Sequence, residues 1–322
     1  MKKVAIITTG GTIASKHNEE GRLNSGAMTG EELNEVLDLP KDIDLHIISM
    51  IQKPSMHLTF EDLDKIRVKI NELFETNSVD GVVVTHGTDS LEETAYYLDL
   101  TIDNTNPIVV TGSQRSPEEL GSDAFINLRH AIYSACDEQL LDVGTIVVFN
   151  ERVFAAQYVK KEHASNIQGF NAFGFGYLGI IDNDKLHLYQ KPIKKCKLIP
   201  VSESFPKVEI IKAYLGADEF FINACMEANV DGIIIEGVGR GQVSPKMMPK
   251  IQEAIKKGIR IVITTAAEEG AVYTTYDYLG SAYDLSESGV TLGKDYDSKK
   301  ARIKLICLIR ANEDINKVFD YY

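Results

Sequence analysis

VVVTHGTDSLEETAYYLDL, residues 82–100, decides the fold class. Its first four residues are all β-branched and read as a buried strand, HGTDS reads as a turn, and the remainder reads as a helix. Strand, turn and helix in direct succession form the first half of a βαβ crossover, the unit from which parallel sheets are built. The rhythm extends in both directions. Short apolar, β-rich runs at 4–8, 45–49, 108–111 and 145–149 read as fully buried strands, and 31–37, 59–74 and 123–139 read as helices between them. TFED at 59–62 has the spacing of a capping box.

From 191 to 206 the text becomes KPIKKCKLIPVSESFP, rich in Pro, Lys and Ser and without a sustained period, which is how an interdomain connection reads. The alternation then resumes with a strand at 208–213, a helix at 219–228, the strand GIIIEG (232–237), a helix at 245–257, the strand RIVITT (260–265) and a last strand, RIKLICLI (302–309). The expected fold is therefore α/β. A larger N-terminal domain (1–190) holds a mostly parallel sheet flanked by helices, 191–207 is a linker, and a smaller C-terminal α/β domain fills 208–322.

Composition narrows the function classes. With 322 residues, 44% of them hydrophobic, the chain can bury a substantial core. Its 34 Lys and Arg against 47 Asp and Glu give a net charge of -13, a surface that repels phosphate backbones, so nucleic acid is not the expected partner. MKKVAIITTGG has too short an apolar run for a signal-peptide core, and no stretch approaches the roughly 20 apolar residues of a membrane helix. The four cysteines form no CxxC pair and read as buried free thiols, which fits a cytoplasmic location.

Two segments carry side chains suited to chemistry. TTGGTIAS (8–15) leaves the first strand, and its paired glycines let the backbone turn so that Thr12 projects at the carboxyl edge of the sheet, where ligands of open α/β sheets bind. Its spacing fits neither GxGxxG nor GxxxxGK[ST], which argues against a nucleotide loop. In the opening stretch, Thr88 and Asp89 reach a helix entrance on the same edge. Helix capping accounts for either one alone, and Glu92 and Glu93 suit a first helical turn.

Taken whole, TTGGTIAS and THGTDSLEETAYYLDL (85–100) resemble the two signature motifs of bacterial L-asparaginases and glutaminase-asparaginases. The likeness continues through TGSQR (111–115), SDAFINL (122–128), GFGYLG (174–179), EGVGRGQVSP (236–245) and KKARIKL (299–305). The resemblance implies an amidohydrolase that converts L-asparagine to L-aspartate and ammonia through a threonine acyl-enzyme, with no metal or organic cofactor. By it, Thr12 is the nucleophile, Thr88 the second catalytic hydroxyl, Asp89 a triad member that also receives the substrate's α-ammonium, and Lys161 the base. Lys161 matches the family's lysine by its distance from Phe170; a KK pair alone reads as solvated surface.

The resemblance also implies that Ser55 grips the α-carboxylate, that Met56, Gly87 and Ser113 line the substrate, and that Gln242 of a neighbouring subunit completes the site in a homotetramer of intimate dimers. His57 and His86 are expected to shape the wall of the pocket rather than to transfer protons. Three departures bear on substrate preference: Met56 stands where some relatives have glutamine, 15–33 contains no lid tyrosine, and no glutamate matches the neighbour-subunit position in VYTTYDYLGSAYD (272–284), where Tyr276 and Tyr278 lie. L-Glutamine, D-asparagine and modified asparagines therefore stay open as substrates. The ammonia-supplying subunit of a tRNA-dependent amidotransferase is a further alternative, disfavoured by the acidic charge, and a non-catalytic amino-acid sensor is disfavoured by the presence of Thr12, Thr88, Asp89 and Lys161.

Overall fold

The computed structural model describes residues 1–10, 15–17, 23–25, 36–192, 199–200, 202 and 204–319. The chain divides into two units, Met1–Cys196 and Lys197–Tyr322.

In the first unit, strands β1 (Lys2–Thr8), β4 (Ile43–Ser49), β5 (Gly81–Thr85), β6 (Ile108–Thr111), β7 (Thr145–Phe149), β8 (Arg152–Ala155), β11 (Gly179–Asp182) and β12 (Lys185–Leu188) form one sheet. Its order is β12-β11-β8-β7-β6-β5-β1-β4. The five strands from β7 to β4 are mutually parallel, whereas β8, β11 and β12 join antiparallel. Two small antiparallel pairs complete the strands: β2 (Ser15–His17) with β3 (Leu23–Ser25), and β9 (Lys160–Lys161) with β10 (Phe170–Asn171).

Helices α1 (Phe60–Glu75), α2 (Leu91–Thr101) and α3 (Ala124–Cys136) follow the strands as the parallel rhythm requires. On one sheet face, Val4, Ile6, Val83, Val109 and Val148 share a core with Leu128, Ala131 and Ile132 of α3. Their chain neighbours Ile7, Val82, Val84 and Val110 are equally buried on the other face, which is why these strands show continuous apolar runs instead of alternation. Helix α1 begins where TFED places it: Thr59 caps the Asp62 N–H while the Asp62 carboxylate accepts from the Thr59 N–H.

The second unit is a four-stranded parallel sheet, β13 (Val208–Lys212), β14 (Gly232–Gly237), β15 (Arg260–Thr265) and β16 (Thr291–Leu292), in sequential order. It carries helices α4 (Phe220–Glu227), α5 (Met248–Lys256), α6 (Ala282–Glu287), α7 (Ser298–Arg310) and α8 (Ile315–Val318).

One expectation is overturned here. RIKLICLI, read as a last strand, lies inside helix α7. Ile303, Leu305, Ile306, Cys307 and Leu308 are all buried, so no polar face marks the helical period, and Arg302 and Lys304 among the isoleucines imitate alternation. The start signal is Asp297, whose carboxylate accepts from the N–H groups of Lys299 and Lys300. The helix expected over 31–37 falls almost wholly outside the described residues, as do 193–198 of the connection. Cys225 and Cys307 are buried and free, but Cys136 is only half-buried, and burial pushes its thiol up to about 11; Cys196 lies outside the described residues. No helix among the described residues is long and apolar enough to cross a membrane.

Candidate active site

Three neighbouring parallel strands end level with one another, with Thr8 paired to Thr85 and Thr85 to Thr111. Beyond that edge the chain leaves β1 through Thr9, whose N–H and hydroxyl both donate to the Thr85 carbonyl, at 3.2 and 3.0 Å. Gly10 follows at φ +117°, where a Cβ would lie 2.3 Å from the Lys53 carbonyl oxygen, so only glycine fits between the exits of β1 and β4. Thr12 lies just past this point, outside the described residues.

The loop between β5 and α2 supplies most of the site. His86 is buried and fully engaged: its Nδ1 pairs with the Gly87 carbonyl at 2.7 Å and its Nε2 with the Thr94 hydroxyl at 2.8 Å. Burial lowers its pKa to about 4, against a smaller opposing effect of the Gly87 carbonyl, so the ring is neutral near pH 7. The carbonyl must then be met by Nδ1–H, leaving Nε2 to accept from Thr94. Ser90 donates to the Ser55 carbonyl at 2.9 Å and docks the turn Ser55–His57 onto this loop. A Cβ on Gly87 would sit 3.0 Å from both the Cβ and Oγ of Ser55, so Gly87 and the buried Ser55 pack closely. Met56 and His57, in the same turn, are exposed.

Lys161, from the two-residue strand β9, reaches across to the same loop. Its Nζ donates to Thr88 Oγ1 at 2.9 Å and to Asp89 Oδ1 at 2.6 Å. The lysine side chain is 14% exposed and the aspartate 65%, so one end of this chain of contacts is shielded and the other faces outward. The Lys161 backbone N–H donates to the buried carboxylate of Glu92, in the first turn of α2, which fixes where the strand carrying the lysine sits.

From the next strand, β6, comes Gln114, whose Oε1 accepts from the Thr88 hydroxyl at 3.2 Å. Its loop is held by Asp123, which accepts from the backbone N–H groups of Gln114 and Arg115 at 3.0 Å each, and by Asn127, which donates to Gly112 O at 3.0 Å. Ser113 is half-buried in the same loop. Thus Ser55, Gly87, Thr88, Asp89 and Ser113 all belong to connections that leave one sheet edge, and Lys161 reaches Thr88 and Asp89 from β9. Gln242 lies in the second unit, where its Oε1 accepts from Ala282 N–H at 3.0 Å at the start of α6. Tyr276 and Tyr278, also there, are exposed with ring centroids 5.8 Å apart.

Sequence reasoning passed over two participants. Gln114 is a single amide after a strand, and Glu92 has an ordinary reading as a first-turn acid; only the fold brings them to Thr88 and Lys161. A hydroxyl touching a shielded lysine that also holds a carboxylate is an arrangement able to move a proton to and from an attacking group. A cavity of about 330 Å³, lined by Asp99, Asp103 and Asp142 among others, lies at the opposite ends of the same strands, beside Thr145 where β7 begins. Among the described residues no group of three His, Cys, Asp or Glu side chains could hold a metal ion.

Comparison with known proteins gives the same outline. The family model for the asparaginase N-terminal domain matches residues 3–194, and that for the glutaminase/asparaginase C-terminal domain matches 207–321. The chain is 57% identical over 321 residues to an L-asparaginase of Bacillus licheniformis, covering 99% of each. It is 30% identical over 330 residues to L-asparaginase 2 of Bacillus subtilis (strain 168), covering 100% of this chain and 86% of the relative. To a probable periplasmic L-asparaginase of Haemophilus influenzae it is 30% identical over 330 residues, covering 100% and 93%. With its α/β architecture and both family models matched in order, the chain belongs to the asparaginase family of amide hydrolases.

Proposed function

We propose that the chain hydrolyses the side-chain amide of L-asparagine, releasing ammonia and leaving L-aspartate. The observation that carries this reading is the meeting of Lys161 Nζ with Thr88 Oγ1 and Asp89 Oδ1, at 2.9 and 2.6 Å, in a chain so similar to an L-asparaginase. Thr12 is the nucleophile. Its hydroxyl oxygen attacks the amide carbon while its proton passes to the Thr88–Lys161 pair, and that proton then leaves on the departing nitrogen as ammonia. Water attacks the resulting ester by the same route, freeing the acid and restoring the Thr12 hydroxyl.

Asp89 orients Lys161 with one oxygen, and its outward-facing carboxylate suits the α-ammonium of an amino acid. Ser55, packed against Gly87, grips the α-carboxylate, and Met56 and Ser113 line the rest of the substrate. Gln242 reaches the site from a neighbouring subunit of a homotetramer built from intimate dimers, with residues 208–322 as the contributing domain. The free thiols Cys136, Cys225 and Cys307 support a reducing, cytoplasmic location.

The test is ammonia release by the purified protein from L-asparagine, L-glutamine, D-asparagine and N-substituted asparagines, beside Thr12→Val and Lys161→Met. L-Asparagine is expected to be the fastest substrate, and each variant to lose at least ~100-fold in kcat, as removal of an activated nucleophile or its base does. Wild-type silence on L-asparagine, or a Lys161→Met enzyme as fast as wild type, would refute the reading.

A further inference from the structure

A serine at the entrance of a helix ordinarily turns its hydroxyl inward to accept from the first free N–H groups. Ser90 stands at that position in front of α2, yet its side chain caps nothing. Only its carbonyl serves the helix, accepting from the N–H groups of Glu93 and Thr94 at 3.1 and 3.2 Å. The hydroxyl proton goes instead to the Ser55 carbonyl, 35 positions back in the chain, at 2.9 Å. That carbonyl also accepts from Leu58 N–H at 3.3 Å, the bond that closes the turn Ser55–His57. The Leu58 bond shapes the turn, and the Ser90 bond fixes where the turn sits against the β5–α2 loop.

What the bond joins gives the forgone cap its use. Asp89, the acceptor proposed for the substrate's α-ammonium, is the chain neighbour of Ser90, and Ser55 is the proposed grip on the α-carboxylate. Both groups sit on one carbon of an amino acid, so the two residues must keep one spacing, and an error of about 1 Å between them weakens the hold on both. Packing sets only how closely Ser55 approaches: a Cβ on Gly87 would lie 3.0 Å from its Cβ and Oγ, a contact without direction. A hydrogen bond has direction. We propose that Ser90 is a positioning residue for recognition of the α-amino acid: its hydroxyl, withdrawn from helix capping, holds the Ser55 turn in register with Asp89, so that carboxylate and ammonium are met together.

This inference rests on the reading of the chain as an asparagine amidohydrolase with Ser55 as its carboxylate grip, and the kinetics of single and double variants on L-asparagine keep the two apart. Ser55→Ala tests the grip itself and is expected to raise KM at least about tenfold. Ser90→Ala is expected to raise KM about tenfold with kcat within about threefold of wild type, the pattern of binding lost equally from ground state and transition state. Ser90→Thr keeps a hydroxyl and is expected to recover most of that loss. In a Ser55→Ala background, where no hydroxyl remains for the turn to place, Ser90→Ala is expected to add less than about twofold, the non-additivity of residues acting as a unit.

Melting temperatures of all variants are measured alongside, so that a general loss of fold is recognised. Four results would overturn the assignment of Ser90 while leaving Ser55 its role: wild-type KM in Ser90→Ala, a Ser90→Ala protein that does not fold, a Ser90→Thr enzyme no better than Ser90→Ala, or an undiminished effect of Ser90→Ala in the Ser55→Ala background. Wild-type KM in Ser55→Ala removes the grip, and the inference with it. If the wild type spares L-asparagine but turns over another amino-acid amide of the panel, the substrate reading fails and the cycle is read on that amide. If no amide is hydrolysed, both fall.

Discussion

His86 shows how a side chain next to the chemistry is kept out of it. Its ring is buried, both nitrogens are occupied, and burial holds its pKa down to about 4. An unfolded histidine takes up its proton near pH 6.5, whereas this one resists until far lower pH, so stability is full above ~6.5 and falls as the pH drops toward 4. The loss over that window is on the order of a few kcal/mol. His86→Gln is expected to flatten this fall, measured as the urea midpoint at pH 7 against pH 4.5; parallel curves for the two proteins would remove His86 as its source. Glu92 is the complementary case, a buried acid that takes the Lys161 backbone N–H. Glu92→Leu strands that N–H and is expected to cost ~1–3 kcal/mol along with activity, while Glu92→Gln, which keeps an acceptor, retains most of both. Equal damage in the two variants would mean that the charge of Glu92 matters and its hydrogen bond does not.

The loop after β6 meets the β5–α2 turn at Gly112, where a Cβ would lie 2.4 Å from the His86 carbonyl oxygen and 3.2 Å from Leu91 Cδ1. Gly112→Ala must push these exits apart at the place where Gln114 reaches Thr88. Overpacking of this kind costs ~1–3 kcal/mol, and kcat is expected to fall more than stability explains; wild-type kcat in a folded Gly112→Ala protein would show that the two loops tolerate separation. Elements like β5 and β6 were legible in the sequence because burial on both faces compresses a parallel strand into an unbroken β-branched run, and α1 because Thr59 and Asp62 announce it. The same burial hid α7, since a helix covered all round has no stripe to read. Strands β8, β11 and β12, four residues each, are too short for a period to emerge. Lys161 is the extreme case: KK in a two-residue strand has no local signal at all, and only likeness to a family singles it out before the fold brings its amine to Thr88. Gln114 and Glu92 lie inside segments that carry the family likeness, yet nothing local points to their partners, because each meets its partner across at least 26 positions of chain.

At the scale of the whole molecule, charge and apolar surface pull in opposite directions. Each chain carries -13 and so repels its copies. Yet the second unit exposes Tyr273, Tyr276, Tyr278 and Leu279 within one short segment, and Tyr214, Leu215, Phe220 and Phe221 in another, more clustered apolar side chains than a lone chain ordinarily leaves in water. The homotetramer proposed above would resolve the conflict if it covers such surface. Light scattering is then expected to give four times the 35.7 kDa of one chain. Because the attraction is apolar and the repulsion ionic, raising salt to about 0.5 M should hold the assembly together, and any dissociation should appear first on dilution at low salt. Ammonia release should follow the assembled mass, since Gln242 is proposed to serve a neighbour's site. A protein that stays at 35.7 kDa in every buffer and still hydrolyses asparagine at full rate would leave each chain with a complete site of its own, and Gln242 with no task beyond holding the start of α6.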